Sequence, residues 1–382
     1  MAALLALSMA GFITILTEAL PAGLLPQMSA DLGVSPSAVG QLITVYAVGS
    51  LLAAIPLTAA TQRFRRKPLL ICAIAGFAVV NTVTSITDNF AIMLLARFFA
   101  GVSAGLLWAM IAGYAARMVP YKLKGRAIAV AMVGTPLALS LGIPAGTLIG
   151  SEIGWRITFW AMTALTLALI GWVLAKVPDY PGTAIGERIT IGGALAIAGL
   201  KPVLTVTLLF VLAHNILYTY IAPLVASAGL VQKLDFVLLL FGIMAIAGIS
   251  IVGHLIGRWL RELVLASIML FGAAAFTFGI GVKVPELFWL ATAAWGLAFG
   301  GAATLFQTAA ANTSGQASDV AQSMIVTAWN LAIAGGGIVG GLLLEHSGIG
   351  WLSWSVLALL LLAYSIAFLA KDRAFPPNHQ AL

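Results

Sequence analysis

Runs of roughly twenty apolar residues, broken by short polar loops, recur along this whole chain, and no other feature restricts its fold so strongly. The hydrocarbon core of a bilayer is about 30 Å thick, and a helix rising 1.5 Å per residue needs about 20 apolar residues to cross it. Twelve runs fit that length: 4–26, 38–60, 68–88, 90–113, 126–150, 155–176, 202–225, 236–257, 263–283, 286–311, 318–343 and 350–371. Of the 382 residues, 62% are hydrophobic and 8% charged, whereas a soluble domain carries about 25% charged residues. An aqueous fold has no way to hide that much apolar surface, so the pattern predicts an all-α membrane protein of twelve transmembrane helices. Forty glycines would weaken soluble helices, but between membrane helices small residues let backbones approach closely.

A net charge of +7 and a pI of 9.7 would suit a nucleic-acid partner if the basic residues were clustered. They lie instead in alternate loops. Fifteen fall on one side of the predicted spans, while Arg156, Lys233 and Lys283 fall on the other and Arg97 lies inside span 4. The positive-inside rule makes the first side cytoplasmic, and an even span number puts both termini there, so no nucleic-acid partner is expected. The first apolar run starts almost at Met1, is longer than a signal-peptide core and lacks a clean cleavage site, so it reads as a span. Whether a tail precedes it is not legible. The single cysteine, Cys72, excludes an intrachain disulfide.

The chain also repeats itself. Glu18 and Pro26 in span 1 correspond to Asn215 and Pro223 in span 7, and Arg63 and Gly101 correspond to Arg258 and Gly296 at an offset of 195 residues. Gly142, Gly146 and Trp155 fall opposite Gly336, Gly340 and Trp351. Several pairings in one order indicate a duplicated six-helix unit. The expected domains are an N-terminal bundle over 1–176, a cytoplasmic linker over 177–201 and a C-terminal bundle over 202–382, with a substrate site between two pseudo-symmetric halves.

Five strings sharpen this: TEALPAGLLPQMSADLGVS at 17–35, RFFAGVSAGLLWAM at 97–110, GTPLALSLGIPAGTLIG at 134–150, GWRITFW at 154–160 and AHNILYTYIAPL at 213–224. They resemble the arabinose/sugar-efflux branch of the proton-coupled, twelve-span drug antiporters of the major facilitator superfamily. The resemblance implies the major facilitator fold, a bacterial cytoplasmic membrane location and export driven by proton entry. One stretch departs from the family. The loop after span 2 commonly reads G-x-L-a-D-R-x-G-R-K there, its acid forming a charge latch, whereas this chain has TAATQRFRRK at 58–67. Thr58 and Gln62 replace the glycine and the acid while Arg63, Arg66 and Lys67 remain, which puts the latch in doubt: Arg63 is the conformational candidate, and the alternative is that these cations merely fix topology.

Charged side chains inside a bilayer are costly and tend to be functional. Glu18 in span 1 and Arg97 in span 4 lie about 12 Å and about 10 Å below the outer boundary by helix rise, hence at similar depth. They are the expected proton-coupling pair, with His214 assisting; alternatively they form a fixed ion pair, or Glu18 binds neighbouring helix groups and never titrates. Gly101, Gly105, Trp108 and Ala112 share the face of Arg97. Trp108 is either a stacking surface for substrate or a packing residue. In span 7, His214 and Tyr218 share a face beside Asn215. Gln41, Tyr46, Trp108, Asn215, Tyr218, Gln307 and Asn330 are the substrate-binding candidates, each also readable as a helix-packing residue. Gly142 and Gly146, with Pro136 and Pro144 interrupting the helix, make span 5 a candidate conformational element at the interface between halves.

No P-loop, metal-ligand cluster or nucleophilic triad occurs, so neither an enzyme nor an ATP-driven pump is expected, and no metal or cofactor. The leading expectation is a monomeric secondary transporter that exports a small molecule, sugar-like, nucleoside or drug, by proton antiport, with lipid around it. Inward proton-coupled symport, and a membrane sensor or lipid-handling protein without solute flux, are the alternatives.

Overall fold

A computed structural model describes residues 1–182, 190–282 and 284–376. Arg188 and Lys283, counted in the charge argument above, lie outside these. Every regular element among the described residues is a helix. The spans run Ala2–Gly23, Pro36–Thr61, Arg66–Ile86, Phe90–Arg117, Lys124–Glu152, Trp155–Lys176, Leu200–Thr219, Leu234–Gly281, Pro285–Ser314, Ser318–His346 and Gly350–Leu369. The 48-residue helix Leu234–Gly281 bends at Trp259 (φ −132°, ψ 34°) and supplies spans 8 and 9, which brings the number to twelve. Leu52, Val79, Leu141, Leu148, Phe236 and Ile338 are each at least 60% exposed, a surface suited to lipid and not to water.

Local chemistry sets the helix ends. Ser35 Oγ accepts from the Ala38 N–H at 3.1 Å, and Asn89 Oδ1 accepts from Ala91 and Ile92 at 2.9 and 3.2 Å, so spans 2 and 4 start on capped turns. Hydroxyls within the spans turn back onto their own helix: Thr14, Thr84, Thr166 and Thr207 all donate to the carbonyl four residues earlier, as side chains do where no water is available.

Spans 1 and 7 are both broken, in the same place. Helix Ala2–Gly23 stops at Leu24 (φ −106°, ψ 9°) and resumes as Leu25–Leu32 around Pro26; helix Leu200–Thr219 stops at Tyr220 (φ −110°, ψ 28°) and resumes as Ile221–Ser227 around Pro223. Gly33, at φ 64°, ends the short second helix of span 1 in a left-handed cap.

The contacts divide the chain into two units. Unit 1 comprises Met1–Tyr121, Val130–Ile191 and Gln316–Thr327; unit 2 comprises Lys122–Ala129, Gly192–Gly315 and Ala328–Leu382. Each unit therefore includes the first turns of a span that otherwise belongs to the other, and the same offset of 195 residues carries 122–129 onto 317–324. The repeat is structural as well. In unit 1 a Cβ on Gly101 would meet the backbone of Tyr46 and Ser50, and one on Gly105 would lie 2.7 Å from Ser50 O. In unit 2 a Cβ on Gly296 would lie 3.0 Å from Phe241 Cα, and one on Gly300 would lie 2.6 Å from Ala245 C. Residues 46, 50, 101 and 105 become 241, 245, 296 and 300 at the one offset, so the close contact of spans 2 and 4 recurs between spans 8 and 10.

Candidate functional site

Within unit 1 the broken span 1 carries the polar centre. Arg97, 1% exposed, enters from span 4 and donates through Nη1 to Thr17 O at 2.5 Å, through Nη2 to Glu18 O at 3.0 Å and through Nε to Leu42 O at 3.3 Å. Its guanidinium lies 5.0 Å from the centre of the Tyr46 ring, and the Tyr46 hydroxyl donates to Thr14 O at 3.3 Å. Buried Asn81 donates to Thr17 Oγ1 at 3.1 Å, while its own Oδ1 has no partner among the described residues. Arg97 thus spends its planar fork on backbone carbonyls of spans 1 and 2, a geometry a single ammonium cannot match.

The fixed ion pair considered for Glu18 and Arg97 is not formed. Arg97 binds the main-chain carbonyl of Glu18, and among the described residues no cation comes within 4.0 Å of the Glu18 carboxylate. Glu18 is half-buried, six residues before the break at Leu24. Gln41 is exposed on span 2, and Tyr46 is buried with Arg97. Trp108 is half-buried, its ring 3.4 Å from where a Cβ on Gly11 of span 1 would stand.

Span 5 has the interruption its prolines suggested. Pro144 has no N–H to give the carbonyl of Ser140, and Ala138–Gly142 widens into a π-helical turn, with Ile143 N donating to Ala138 O. Ser140 Oγ donates to Pro136 O at 2.7 Å. Gly142 and Gly146 face span 1 of the same unit. A Cβ on Gly142 would lie 2.8 Å from Leu16 Cδ2, and one on Gly146 would lie 2.5 Å from Leu20 Cδ2; Gly134 against Ser8 and Gly150 against Leu24 extend the seam.

Arg63, the expected conformational residue, is exposed over the ring of its neighbour Phe64. Arg66, 4% exposed, makes the ionic contact: its Nη2 lies 2.6 Å from Asp319 Oδ2, and Arg117 Nη2 lies 3.3 Å from the same oxygen. A Cβ on Gly113 of span 4 would lie 2.8 Å from Asp319 Oδ1, so a glycine is what leaves room for the carboxylate. The acid missing from position 62 is thus supplied by the first turn of span 11, a residue the sequence reading did not single out. The chain after span 6 straps this junction. Tyr180 O accepts from Arg66 N at 2.9 Å, Pro178 O accepts from Tyr114 at 2.7 Å, and Asp179 takes both Lys67 N at 3.0 Å and Arg65 Nε at 2.5 Å. The Lys67 N–H, followed by Arg65, holds the Asp179 carboxyl below its ordinary value. In unit 2 the same offset carries Arg66 to Arg261, which donates to Ala367 O and Phe368 O at the end of span 12 and to Phe375 O in the chain beyond it.

In unit 2 the residues aligned with the polar centre are uncharged. Arg97 corresponds to Thr292, whose hydroxyl returns to Phe288 O at 2.9 Å; Tyr46 corresponds to Phe241, and Glu18 to Asn215, whose amide returns to Val211 O at 2.8 Å. His214 is 6% exposed and lies against Phe299 with ring centres 3.5 Å apart and planes 8° apart. Tyr218, 39% exposed, stacks on it at 5.1 Å. Gln307 is buried on span 10 and Asn330 half-buried on span 11.

The Major Facilitator Superfamily model matches residues 7–334. The chain belongs to the major facilitator superfamily. It is a multi-pass membrane transporter, as members of this family are, and not an enzyme. It is 29% identical over 355 residues to a chloramphenicol efflux pump of Mycobacterium tuberculosis strain H37Rv, covering 89% of this chain and 85% of the relative. To a "Probable sugar efflux transporter" of Mannheimia succiniciproducens it is 26% identical over 384 residues, covering 97% and 95%. Among solved structures, a proton:xylose symporter of the superfamily bound to 6-bromo-6-deoxy-D-glucose superposes with a TM-score of 0.78 at 13% identity, covering 96% of this chain and 94% of that one. The human organic anion transporter MFSD10 superposes with a TM-score of 0.76 at 16% identity, covering 96% and 98%.

Proposed function

We propose that this major facilitator transporter exports a small molecule from a bacterial cytoplasm by alternating access, with protons moving inward through Glu18. Both termini are then cytoplasmic, the membrane is the inner one, and the working unit is a monomer. The observation that carries the reading is a half-buried carboxylate inside a membrane helix with no cation paired to it among the described residues, while the adjacent Arg97 is committed to main-chain carbonyls. A carboxylate locked to a guanidinium has no reason to exchange its proton, whereas one free of that pairing can bind and release it. Outward export is supported by the two efflux proteins to which the chain is similar over most of its length.

Protonation of Glu18 would couple to transport by population shift. If the protonated form favours the state open to the cytoplasm, the inward proton gradient drives the cycle toward export. The Arg66–Asp319 contact is the bond made and broken as the first turns of span 11 change partners. Span 5, with its π-helical turn and glycine seam against span 1, is the element that bends.

The test is transport in proteoliposomes with sugars, nucleosides and drugs, comparing the natural protein with Glu18→Gln. The variant should lose gradient-driven movement and keep substrate exchange. Undiminished gradient-driven export by Glu18→Gln would remove the proton-coupling role.

A further inference from the structure

The ring cluster of unit 2 contains two buried polar atoms with no use in the fold. His214 Nδ1 and Trp295 Nε1 are both shielded from solvent and without a hydrogen-bond partner among the described residues. The other two described histidines show the ordinary solution: Nδ1 of His254 rests on Ser250 O at 2.7 Å, and that of His346 on Leu342 O at 3.0 Å, each four residues back. His214 forgoes that bond. Leaving a buried polar atom unpaired costs about 1–3 kcal/mol, and two of them on rings whose centres lie 5.4 Å apart call for a partner that arrives from outside. The rings around them leave little else. Trp295 lies 5.4 Å from His214 and 4.7 Å from Phe241, and Phe299 and Tyr218 both stack on the imidazole, at 3.5 and 5.1 Å between ring centres.

Depth agrees with a ligand role. Trp295 lies ten residues into span 10 and Tyr218 nine residues before the end of the outer helix Ile221–Ser227, so both sit roughly 15 Å inside the span ends at 1.5 Å per residue. Tyr218, the exposed outermost ring, has a hydroxyl bonded to nothing among the described residues, so it can swing aside without breaking a hydrogen bond.

We infer that His214, Tyr218, Phe241, Trp295 and Phe299 form a substrate subsite for an uncharged aromatic compound carrying one hydrogen-bond acceptor, with Tyr218 as its movable cover. This rests on the export reading and names the substrate class. The chemistry selects among ligands. The indole N–H is a donor, so the ligand must bring an acceptor, which a quaternary ammonium lacks. The cluster holds no cation to neutralise an anion. A pyranose would bring several hydroxyls to a place with two unpaired polar atoms and leave most of them without partners. A flat ring with a single carbonyl satisfies the indole, leaves the imidazole to bond as donor or acceptor, and stacks on the faces available.

The experiment is equilibrium dialysis of the purified full-length protein in detergent with radiolabelled acetanilide, in competition with phenyltrimethylammonium, benzoate and methyl β-glucoside. Trp295→Phe keeps an aromatic ring and removes the donor, and should weaken acetanilide binding roughly three- to tenfold in protein that still melts cooperatively. Tyr218→Leu keeps an apolar cover, removes the stacking face and should weaken it by a similar factor. Unchanged affinity in both folded variants, or stronger competition by the ammonium, the carboxylate or the sugar, overturns the proposal. Binding is measured without a gradient, so the two readings separate. If acetanilide binds with the expected variant effects yet is not moved in proteoliposomes, the subsite stands and export of this class fails. If both variants transport it with unaltered half-saturation, the subsite fails and export stands.

Discussion

Replacing Asp319 with asparagine should release the first turns of span 11 from unit 1, and the structure sets the size of the effect. Removing one member of a buried ion pair costs about 3–5 kcal/mol, because the other charge loses its counter-ion. Arg66, with 4% of its side chain exposed, falls under that figure; Arg117, with 35% exposed, adds at most about 1 kcal/mol. Asparagine keeps the size and one carbonyl oxygen, so roughly 1 kcal/mol is recovered through a neutral acceptor. The net is about 3 kcal/mol, a shift of roughly a hundredfold in the equilibrium between held and released segments. Ser323, fully buried in this segment, supplies the probe. With the exposed Cys72 changed to serine, Ser323→Cys reacts with maleimide only when the segment opens, and labelling then follows the opening equilibrium. Adding Asp319→Asn should speed labelling about a hundredfold, and Arg66→Gln should do the same. A labelling rate that neither change moves, in protein that still melts cooperatively, would show that the ion pair does not hold the segment.

Two other outcomes follow from the geometry of unit 1. Arg97→Lys keeps the charge but cannot reach three carbonyls on two spans, so it should forfeit at least one charge-assisted hydrogen bond worth about 1.5–3 kcal/mol; thermal unfolding in detergent should show a clear drop, and a melting curve like the natural protein's would mean that charge alone matters there. The carboxyl of Asp179 is held below its ordinary value of 3.8, so its contribution is fully present above that value and is lost as pH falls through the lower value it has in the fold. Proteolysis at the strap over residues 178–182 should rise on acidification below pH 3.8, and Asp179→Asn should be cut already at neutral pH; a cleavage rate flat with pH in the natural protein would count against the strap.

The spans were legible because hydropathy over twenty residues is a bulk property that neighbouring helices do not alter. The junction of spans 8 and 9 shows the limit. Residues 258–262 read as a loop because Arg258, Arg261 and Glu262 are charged, but the stretch contains no glycine or proline to stop a helix, so the chain stays helical and merely bends at Trp259. Glu18 and Arg97 were visible as charges out of place, and their similar depth follows from counting residues. What could not be seen is that Arg97 would choose carbonyls over the nearby acid, since main-chain acceptors leave no mark in a sequence. Asp319 was hidden for a related reason: an acid at a helix N-terminus is ordinary, and its partner Arg66 lies 253 positions earlier.

The duplication shows why some of this was readable and some was not. At the offset of 195 residues the glycines of the close helix contacts persist, as do the breaks in spans 1 and 7 at nearly the same offset, because both halves solve one packing problem. The side chains placed on that scaffold diverge: arginine, tyrosine and glutamate in unit 1 become threonine, phenylalanine and asparagine in unit 2. A repeat kept for its backbone and altered in its chemistry can divide the work, with the charged half handling ions and the aromatic half handling rings. On that division, exchanging the two chemistries is not neutral. Thr292→Arg would bring a guanidinium into a half where Asn215 offers no carboxylate, and Arg97→Thr would strip the carbonyls of Thr17, Glu18 and Leu42 of their donors, although each change only copies what the other half already has.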